Sequence, residues 1–453
     1  MSATLGFYGG VGSVTGANFL LDTGKIALLV DCGLVQGDRF AQEVNAEAFV
    51  YNPADIDFLL VTHAHADHIG RIPKLIKEGF KGVIYSTPPT RDLAEIMLAD
   101  ALKVMEYEKE KYGTEVLYDA KDIHTALTLW QTTPYEKKVE LGDGVTFFYT
   151  DAGHILGSGM VHLERGGKKM VFTGDIGNVP QPLLNPPVIP KDYQYMVMES
   201  VYGDRLHEEV KERTNLLQHY IEDTQKKGGT LIIPAFSLER TQGMLLEINN
   251  LVESGKIKPL PVFLDSPLAI EVTDVYRKYT PYLKSEVQTQ INGGDDIFAF
   301  DGLSFTQTVK ASEEIKNEKG AKVIIAGSGM SHGGRIRKHE KQYLDDKNTT
   351  VLLVGYQSVG SLGRLLQDGA KKVRVDDEYV KVKAKIVMIR GYSGHADRDQ
   401  LLNLVAQGGD HAKQVFVTMG EEQSSLFLVQ RLRDYLGLNA VAPSLGEEVT
   451  IDF

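Results

Sequence analysis

Short apolar runs alternate with longer amphipathic stretches along most of the chain. The runs are rich in β-branched residues and broken by Gly, Asn and Asp, and they predict strands at Ile26–Val30, Asp57–Thr62, Val145–Thr150, Met170–Thr173, Tyr195–Met198, Leu231–Ile233, Val262–Leu264, Val323–Ala326, Val351–Val354, Ile386–Ile389 and Val415–Val417. Apolar residues at helical spacing predict helices over Arg91–Tyr112, Lys121–Trp130, Glu208–Lys227, Glu239–Glu253, Leu268–Tyr279 and Ser424–Leu436. We therefore expect an α/β or α+β protein.

The order of the predicted elements changes after Gly203-Asp204. Strand-dense sequence ends there, and a long helix followed by alternating strands and helices extends to about Leu365. Such alternation is typical of a compact unit built on a parallel sheet. The Pro-rich segment Pro180–Pro190 lies between two strands expected in one sheet, so we interpret it as a rigid surface loop rather than a linker.

Composition places the chain among ordinary globular proteins. Its 453 residues suit two or three cores, or one large core with an insertion. A composition of 42% hydrophobic and 24% charged residues excludes collagen-like, disordered and disulfide-framework classes. The one cysteine, Cys32, cannot form an intramolecular disulfide and is expected to be a small core residue. Neither an apolar run of about 18 residues nor a signal sequence is present, so we expect a cytoplasmic protein that does not span a membrane.

The net charge argues against a broad nucleic-acid interface. The chain has 49 Lys and Arg residues against 61 Asp and Glu residues, which gives a formal charge of −12. A wide nucleic-acid interface usually presents a basic face that displaces counterions from phosphates. Any polyanion bound by this chain would therefore be held by local groups.

The most informative segment is His-Ala-His-Ala-Asp-His at residues 63 to 68, which holds three of the 12 histidines. In extended backbone His63 and His65 point the same way, and a turn into a helix then brings Asp67 and His68 to the same pocket. Imidazole and carboxylate groups without thiolate suit zinc or a similar divalent metal. Four ligand-capable groups are one more than a catalytic zinc ion takes from the protein, so the segment predicts two ions.

Four further polar residues follow predicted strands, where binding groups collect on sandwich and open-sheet folds. They are Asp31, His154, Asp175 and His395. Each alone is explained equally well as a loop residue or a helix cap. Their shared context with the histidine segment makes all four candidate residues of the metal site.

Several motifs resemble those of a known family. Asp31, the histidine segment, His154 and Asp175 resemble the metal motifs of the metallo-β-lactamase-fold hydrolases. The segments that resemble the β-CASP branch, the RNA and DNA nucleases, are Met198–Arg205, Gly327–Arg335 and Ser393–Asp397. Within this branch the chain is similar, from about Gly9 to its C-terminus, to the short bacterial and archaeal relatives of the endonuclease subunit of the cleavage and polyadenylation specificity factor.

The resemblance implies an α/β fold class, a metallo-β-lactamase αββα sandwich with an inserted β-CASP α/β domain. Residues 1–205 and 366–453 would form the sandwich, and residues 206–365 the inserted domain. Too few residues follow His395 for the extra C-terminal domain of ribonuclease J, and the start at Met1 leaves no room for an N-terminal KH domain.

The resemblance also implies roles for the site residues. His63, His65 and His154 would hold one zinc ion. Asp67, His68 and His395 would hold the other, with Asp175 bridging both. Asp31 would orient a ligand histidine by hydrogen bonding, and Glu199 would position the substrate or the attacking water. The candidate catalytic residues are therefore Asp67, Glu199 and Asp31.

The implied reaction is cleavage of single-stranded RNA by a hydroxide that bridges two zinc ions, in RNA processing or decay. The ions would make the binding cleft locally positive on an acidic protein. The candidate phosphate contacts are Ser328, Arg335 and Arg364, although a solvated face explains the arginines equally well. Endonuclease or exonuclease action, RNA or DNA as substrate, and the oligomeric state, a homodimer included, are left open.

Two positions depart from the branch pattern. Leu365 stands where many nucleases have a histidine thought to assist protonation of the leaving group, and Met419 replaces the histidine of a Val-x-His-Gly-Glu segment. We therefore expect intact metal chemistry, while the rate and the substrate class stay open. His332 and His339 are alternative proton donors, but ordinary surface histidines explain them better.

Two other functions fit parts of the sequence. A metallo-hydrolase of a small ester, thioester or lactam would share the metal ligands, but the long insertion, Glu199 and His395 argue against it. A weakly active RNA-binding subunit would explain Leu365 and Met419, whereas the full set of metal ligands argues against that function.

Overall fold

The computed structural model describes residues 2–37, 40–207, 210–358 and 360–453. The chain forms two compact units: one comprises Met1–Val179, Asn185–Leu206 and His395–Phe453, and the other Pro180–Leu184 and His207–Gly394. Each predicted strand and helix overlaps an observed element, except that the predicted start of the helix at Glu208 lies outside the described residues.

Before the insertion, the strands are β1 (Ser2–Gly9), β2 (Asn18–Asp22), β3 (Ala27–Val30), β4 (Phe58–Leu60), β5 (Val83–Ser86), β6 (Trp130–Thr132), β7 (Val139–Gly142), β8 (Val145–Asp151), β9 (Gly159–Arg165), β10 (Lys168–Phe172) and β11 (Tyr195–Met198). The helices of this part are α1 (Ala41–Ala46), α2 (Ala66–Ile69), α3 (Ile72–Lys77), α4 (Pro88–Tyr112) and α5 (Ala120–Leu129).

The inserted part contains α6 (Val210–Lys227), β12 (Thr230–Pro234), α7 (Arg240–Glu253), β13 (Val262–Leu264), α8 (Pro267–Lys278), α9 (Ser285–Asn292), β14 (Leu303–Phe305), α10 (Val309–Glu314), β15 (Lys322–Ala326), α11 (Ile336–Tyr343), β16 (Thr350–Leu353), α12 (Leu362–Gln367), β17 (Lys372–Val375), β18 (Glu378–Lys381) and β19 (Lys385–Met388). The chain then continues with α13 (Arg398–Gly408), β20 (Gln414–Val417), α14 (Glu422–Leu436), β21 (Ala440–Val441) and β22 (Glu448–Asp452).

Two mixed seven-stranded sheets form the first unit, with the strand orders β22-β1-β2-β3-β4-β5-β6 and β21-β20-β11-β10-β9-β8-β7. Buried side chains of both sheets share one core; the ring centroids of Phe7 and Phe416, which belong to different sheets, lie 5.1 Å apart. Helices α13 and α14 pack on the second sheet through buried leucines such as Leu401 and Leu428, and α4 and α5 pack beside β6 and β5. The unit is therefore the expected αββα sandwich.

The C-terminal strands complete this sandwich. Strand β22 pairs antiparallel with β1, and β20 pairs in parallel with β11. Residues from both ends of the chain thus build a single core, as the sequence predicts. Within the described ranges, none of the helices combines the length and apolar character that crossing a membrane would require.

The second unit contains the predicted parallel sheet, with the order β14-β13-β15-β12-β16-β19, and a β17–β18 hairpin. The unit extends to Gly394 rather than to Leu365, so the predicted return to the sandwich at residue 366 comes too early. The reason is that β19 pairs in parallel with β16 and completes the sheet. Pro180–Leu184 also belongs to this unit, with Leu183 buried and its carbonyl bound by the Lys284 amide, so the predicted loop is divided between the two units.

Candidate metal centre

The candidate site lies in the first unit, where several strands end. Asp31 follows β3 and adopts a φ of 61°, and the histidine segment follows β4. His65 is still extended, with φ −69° and ψ 148°, and caps the short helix α2. The chain therefore turns where the sequence predicts, because extended backbone carries two histidines and the first helical turn carries Asp67 and His68.

Four donor atoms in this site form a closed group. His65 Nδ1 lies 3.0 Å from His63 Nε2 and 3.1 Å from His154 Nε2. Asp175 Oδ2 lies 3.4 Å from His63 Nε2 and 3.3 Å from His154 Nε2. Ligand bonds of about 2.0–2.1 Å place neighbouring donors of a tetrahedral zinc ion about 3.3 Å apart. The group, which we call the first cluster, therefore fits one divalent ion.

The second oxygen of Asp175 faces another histidine. Asp175 Oδ1 lies 3.4 Å from His68 Nε2, and neither of these buried atoms has a hydrogen-bond partner among the residues that the structure describes. Buried polar atoms are normally hydrogen-bonded, so such a pair needs an explanation. A divalent ion held between His68 and Asp175 would satisfy both atoms.

The electrostatics of the first cluster suit metal ligation. Burial lowers the pKa of His65 and of His154 well below the ordinary value, and it lowers that of His63 as well. The imidazoles are therefore neutral, the form that binds metal. Burial acts to raise the pKa of Asp175, but the nearby histidines, His68 and His63 foremost, hold that pKa well below its usual range.

Asp31 contacts His68, the arrangement that the resemblance implies for a residue that orients a ligand. Its Oδ2 lies 2.7 Å from His68 Nδ1, which directs Nε2 towards Asp175. Burial opposes the charged form of His68, yet the Asp175 and Asp31 carboxylates raise the pKa of His68 well above its usual value. The sequence reasoning missed Thr62, whose amide and hydroxyl bind Asp31 and whose Oγ1 lies 3.0 Å from His63 Nδ1.

We expect Thr62→Val to weaken metal binding by roughly tenfold, the lower end of what the loss of an outer partner of a ligand costs. Valine keeps the shape of the side chain but removes the hydroxyl that contacts Asp31 and His63. Zinc affinity measured by competition with a chromophoric chelator checks this prediction. Thr128→Val, at an exposed position of α5, is the matched control and should leave the affinity unchanged; an equal loss in both variants would contradict the assigned role.

Glu199 is buried within the site and does not contact solvent. Its Oε1 accepts a 2.6 Å hydrogen bond from the Ile176 amide, and its Oε2 accepts one of 3.2 Å from the Val201 amide. Oε1 also lies 3.3 Å from His395 Nδ1. The buried carboxylate therefore holds His395, while the predicted contact of Glu199 with substrate or water stays a prediction.

His395 lies beside the first cluster, and the Asp67 carboxylate is also near enough to raise the pKa of His395. Its predicted role as a ligand of the second ion stays a prediction. Its Nδ1 is 3.9 Å from Asp175 Oδ2, and its ring centroid is 4.7 Å from that of His154. Asp175, Glu199 and His395 form the second close group of potential ligands. Burial opposes protonation of His395, but the carboxylates of Glu199 and Asp175 raise its pKa to about 9. The imidazole therefore carries a proton at neutral pH in this arrangement.

Met419 is buried under the site. It lines a small cavity of about 10 Å³ together with His68, Asp31 and Glu199. Its amide donates a 2.6 Å hydrogen bond to the carbonyl of Gly10, and its own φ is 45°. A Cβ atom at Gly10 would lie 2.3 Å from the Met419 sulfur, and Gly10 has a φ of 66°, so a larger residue there would be strained and would displace the Met419 side chain.

The candidate phosphate contacts lie in the second unit, where each of them forms hydrogen bonds or an ion pair with other protein groups. Arg335 donates 2.7 Å and 2.6 Å hydrogen bonds to Asp265 Oδ1 and the Thr306 carbonyl, Arg364 pairs with Asp368 at 3.0 Å, and the Ser328 hydroxyl bonds within its own loop. Arg335 therefore ties strand ends together instead of lying on a solvated face, while its predicted phosphate contact stays a prediction.

The two weaker histidine candidates differ in exposure. His332 is exposed, with Nε2 3.3 Å from Ser358 Oγ. His339 is buried and its Nε2 lies 2.7 Å from Asp265 Oδ2, so the expectation of a surface histidine is wrong at this position. Leu365, at the position where relatives carry a histidine, is 46% exposed on α12.

Glu340, behind the Gly327–Arg335 loop, gives a prediction for stability. Burial raises its pKa to about 8 from an ordinary value of 4.5, and its Oε1 accepts a 2.5 Å hydrogen bond from Ser331. Between these pH values the unfolded chain releases this proton while the folded chain keeps it. The free energy of unfolding therefore falls as pH rises from about 4.5 to about 8 and then levels off with respect to this group.

We expect Glu340→Gln to melt at a higher temperature than the parent at pH 8.5 and to lose this part of the pH dependence, since the amide has no proton to release. Thermal melts between pH 5 and 9 measure the effect. Glu313→Gln, at an exposed position, is the control and should follow the parent curve. The prediction would be contradicted if the melting temperature of the parent rose over this pH range and the variant showed the same pH dependence.

The two packed sheets and the histidine and aspartate cluster at their strand ends define a metallo-β-lactamase-type hydrolase. Family models match the chain as follows: the metallo-beta-lactamase superfamily over residues 12–217, the Beta-Casp domain over residues 241–366, and the Zn-dependent metallo-hydrolase RNA specificity domain over residues 379–443.

Curated relatives cover nearly the whole chain. Ribonuclease TTHA0252 of Thermus thermophilus is 35% identical over 93% of this chain and 94% of its own length. An RNase J-like protein of Methanocaldococcus jannaschii is 32% identical over 98% of both chains. Transcription termination factor FttA of Methanosarcina mazei is 31% identical over 98% of this chain and 71% of its own.

The chain belongs to the β-CASP ribonucleases of the metallo-β-lactamase superfamily. The resemblance and the fold class inferred from the sequence motifs are thus confirmed, and membership implies a bound divalent metal. A solved structure of a protein of unknown function from Enterococcus faecalis V583 shares the fold, with a TM-score of 0.56 and 11% identity over 100% of both chains.

Proposed function

We propose that this protein is a zinc-dependent ribonuclease that cleaves phosphodiester bonds of single-stranded RNA in RNA processing or decay. The first cluster carries the proposal, because three neutral imidazoles and one carboxylate oxygen converge at the spacing of a zinc site. The donor set contains nitrogen and oxygen but no sulfur, since the one cysteine, Cys32, belongs to neither close group of potential ligands among the described residues. Nitrogen and carboxylate ligands in this proportion suit zinc.

The ligand residues would be divided unequally between two ions. His63, His65, His154 and Asp175 Oδ2 would hold one ion, and His68 with Asp175 Oδ1 and Asp67 would contact a second. Divalent ions at such positions supply Lewis-acid stabilisation and an activated water for attack on phosphorus. The chain itself supplies neutral imidazoles, a shared carboxylate and the Asp31 hydrogen bond that keeps His68 in one orientation.

His395 would carry out the proton transfer. Its Nδ1 faces the buried Glu199 carboxylate at 3.3 Å, and Glu199 is itself held by two backbone amides. A carboxylate in this position stabilises the imidazolium and sets the orientation of the ring. His395 could then give its proton to the oxygen that leaves phosphorus, the work expected of a general acid.

RNA is the substrate that the comparisons favour. The matched RNA specificity domain covers residues 379–443, which include His395, and the relatives named above are called ribonucleases or act in transcription termination. The net charge of −12 confines RNA binding to local groups, and bound zinc would provide them. A reducing cytoplasm is the location that suits the single free thiol.

Parallel incubation with labelled single-stranded RNA and with a chromogenic lactam or thioester tests the proposal. We expect cleavage of the RNA, loss of that cleavage after treatment with a chelator, and no turnover of the small substrate. A matched single-stranded DNA in the same assay shows which nucleic acid is preferred. Turnover of the small substrate without cleavage of the RNA would reject the proposed function.

A further inference from the structure

The β17–β18 hairpin of the second unit is basic, although the protein as a whole is acidic. Residues 371–385, which contain both strands, include six Lys and Arg residues against three Asp and Glu residues. The formal charge of the whole chain is −12. An acidic protein that binds a polyanion needs such a local excess of positive charge, so the hairpin is a candidate binding surface.

One side of the hairpin is fixed against the core of the second unit. Val373 and Val375 are buried there, and Val380 of the other strand packs on the same core. Because neighbouring side chains of a strand point to opposite faces, the other face of the hairpin is turned to solvent. This face, which we call the basic face, consists of the exposed residues Lys372, Arg374, Tyr379 and Lys381.

The pairing of the two strands leaves the positive charges of the basic face uncompensated. Lys372 lies directly opposite Lys381 in the antiparallel register, and like charges in this arrangement destabilise a sheet. Arg374 pairs with Asp377 at 3.3 Å, but the two side chains are 63% and 93% exposed, so the pair contributes little. A bound anion would relieve the repulsion between the two lysines.

The acidic residues of the hairpin are grouped at its turn instead of alternating with the cations. Asp376 pairs there with Arg337 at 2.8 Å, and Glu378 pairs with Lys341 at 2.7 Å. Both partners belong to α11. A surface that serves solubility alone usually mixes charges of both signs, so the separation of the two signs favours a binding function.

An aromatic ring lies among these cations. Tyr379 is 68% exposed, faces Arg374 across the two strands, and has Lys372 Nζ 4.8 Å from its ring centroid. Proteins that bind single-stranded nucleic acids combine cations for the phosphates with exposed aromatic rings on which bases stack. An acidic protein partner would use the cations but would not need the ring. The combination therefore favours a single-stranded nucleic acid.

We propose that the basic face binds single-stranded RNA, with Lys372, Arg374 and Lys381 contacting phosphates and the Tyr379 ring stacking on a base. The inference rests on the proposed function in taking RNA as the ligand. None of these four residues belongs to the metal centre, so the basic face contributes to RNA affinity and not to bond cleavage.

Binding of a labelled oligouridine to the full chain, followed by fluorescence anisotropy at several salt concentrations, tests the inference. A chelator keeps the RNA intact during the measurement. The triple variant Lys372→Gln, Arg374→Gln, Lys381→Gln is expected to bind roughly tenfold more weakly or worse, and its plot of log affinity against log salt should be less steep by about 2, since each phosphate contact on a single strand contributes about 0.7.

The matched control replaces three exposed lysines of the same unit by glutamine, at Lys310, Lys316 and Lys319. It changes the net charge equally and should keep the affinity and the salt dependence of the parent. Thermal melts should show the triple hairpin variant to be at least as stable as the parent, because it loses the opposed lysine charges. Weaker binding would then not come from unfolding.

Tyr379 is tested separately. Tyr379→Leu is expected to weaken binding by roughly fivefold or more, the lower end of what loss of base stacking costs. Tyr379→Phe keeps the ring and should bind like the parent. Parental affinity of Tyr379→Leu would overturn the proposed stacking, as would an equal loss in both variants.

Two further results would overturn the inference. One is a triple variant that binds the RNA as tightly as the control variant. The other is displacement of the RNA by polyglutamate as effectively as by unlabelled oligouridine, which would show a surface for acidic proteins.

Cleavage by the zinc-loaded protein separates this inference from the proposed function. The triple variant should have a higher KM for RNA, with kcat and zinc content unchanged. A triple variant with the KM of the parent would overturn the inference and leave the proposed function standing. A zinc-loaded parent that binds RNA through the basic face without cleaving it would count against the proposed function and leave the inference standing.

Discussion

Replacing Asp175 by alanine is expected to reduce RNA cleavage by at least roughly 10³-fold, a loss of the size seen when the electrostatic centre of an active site is removed. The two oxygens of Asp175 face different histidines, His154 and His63 on one side and His68 on the other. One substitution therefore weakens both ion positions. The expected zinc content falls below one ion per chain, which elemental analysis measures beside the cleavage rate.

The matched control for Asp175 is Asp377→Ala, since the Asp377 side chain is 93% exposed and lies in the other unit. The control should keep both the cleavage rate and the zinc content. Full activity of folded Asp175→Ala in a preparation free of contaminating nuclease would show that cleavage does not use this site.

Replacing His395 by alanine is expected to slow cleavage by roughly 10²- to 10⁴-fold, the contribution typical of a general acid. The zinc retained by the first cluster should stay unchanged, because His395 Nδ1 lies 3.3 Å from Glu199 and farther, 3.9 Å, from the shared Asp175. The parent rate should also decline at high pH, where His395 loses the proton that the Glu199 carboxylate stabilises, and the variant should lack that decline. Rates from pH 6 to 10 and zinc content together check the prediction.

The result for His395 separates two roles for this residue. If His395 is a metal ligand, as the resemblance implied, its alanine variant loses zinc together with activity. If His395 donates a proton, activity falls while zinc stays. His411→Ala is the control, because His411 is an exposed histidine of the same unit and its removal should change neither quantity.

Much of the site was predictable because its residues lie directly after apolar runs. The local backbone of the His63–His68 segment determines where its four ligand side chains point, because an extended strand end is followed by one helical turn. Asp31, His154 and Asp175 follow other strands of the same two sheets. Ends of neighbouring strands meet at one edge, so a polar residue after each predicted strand was sufficient to find them.

The neighbours of His395 were not predictable in the same way. Glu199 is 196 residues away along the chain, and the pair forms only because the C-terminal segment bridges Gly177 and hydrogen-bonds to Ile176. Thr62 was missed because a threonine before a histidine motif looks like any strand residue. The partner of Arg335 was not predictable either, because its charge suggested solvent or phosphate, whereas the fold provides a buried partner in Asp265.

In the fold, too, individual strands could be predicted from the local sequence pattern, whereas their partners in the sheets could not. The run Ile386–Ile389 was correctly predicted as a strand, but its partner β16 decides that it belongs to the inserted unit. Strand β9 was absent from the predicted set because His162 interrupts its apolar pattern. In the structure this histidine is buried and stacks on Phe148, with ring centroids 4.6 Å apart, and burial lowers its pKa to about 4.

The central claim is that RNA cleavage depends on the ion held by His63, His65, His154 and Asp175. The rate at which chelator-stripped protein cleaves an end-labelled single-stranded RNA, measured while zinc is added back, tests this claim most directly. We expect no cleavage by the stripped protein and recovery of cleavage as zinc is supplied. Cleavage that continues in protein shown to contain no metal, or that fails to return when zinc is bound again, would contradict the claim.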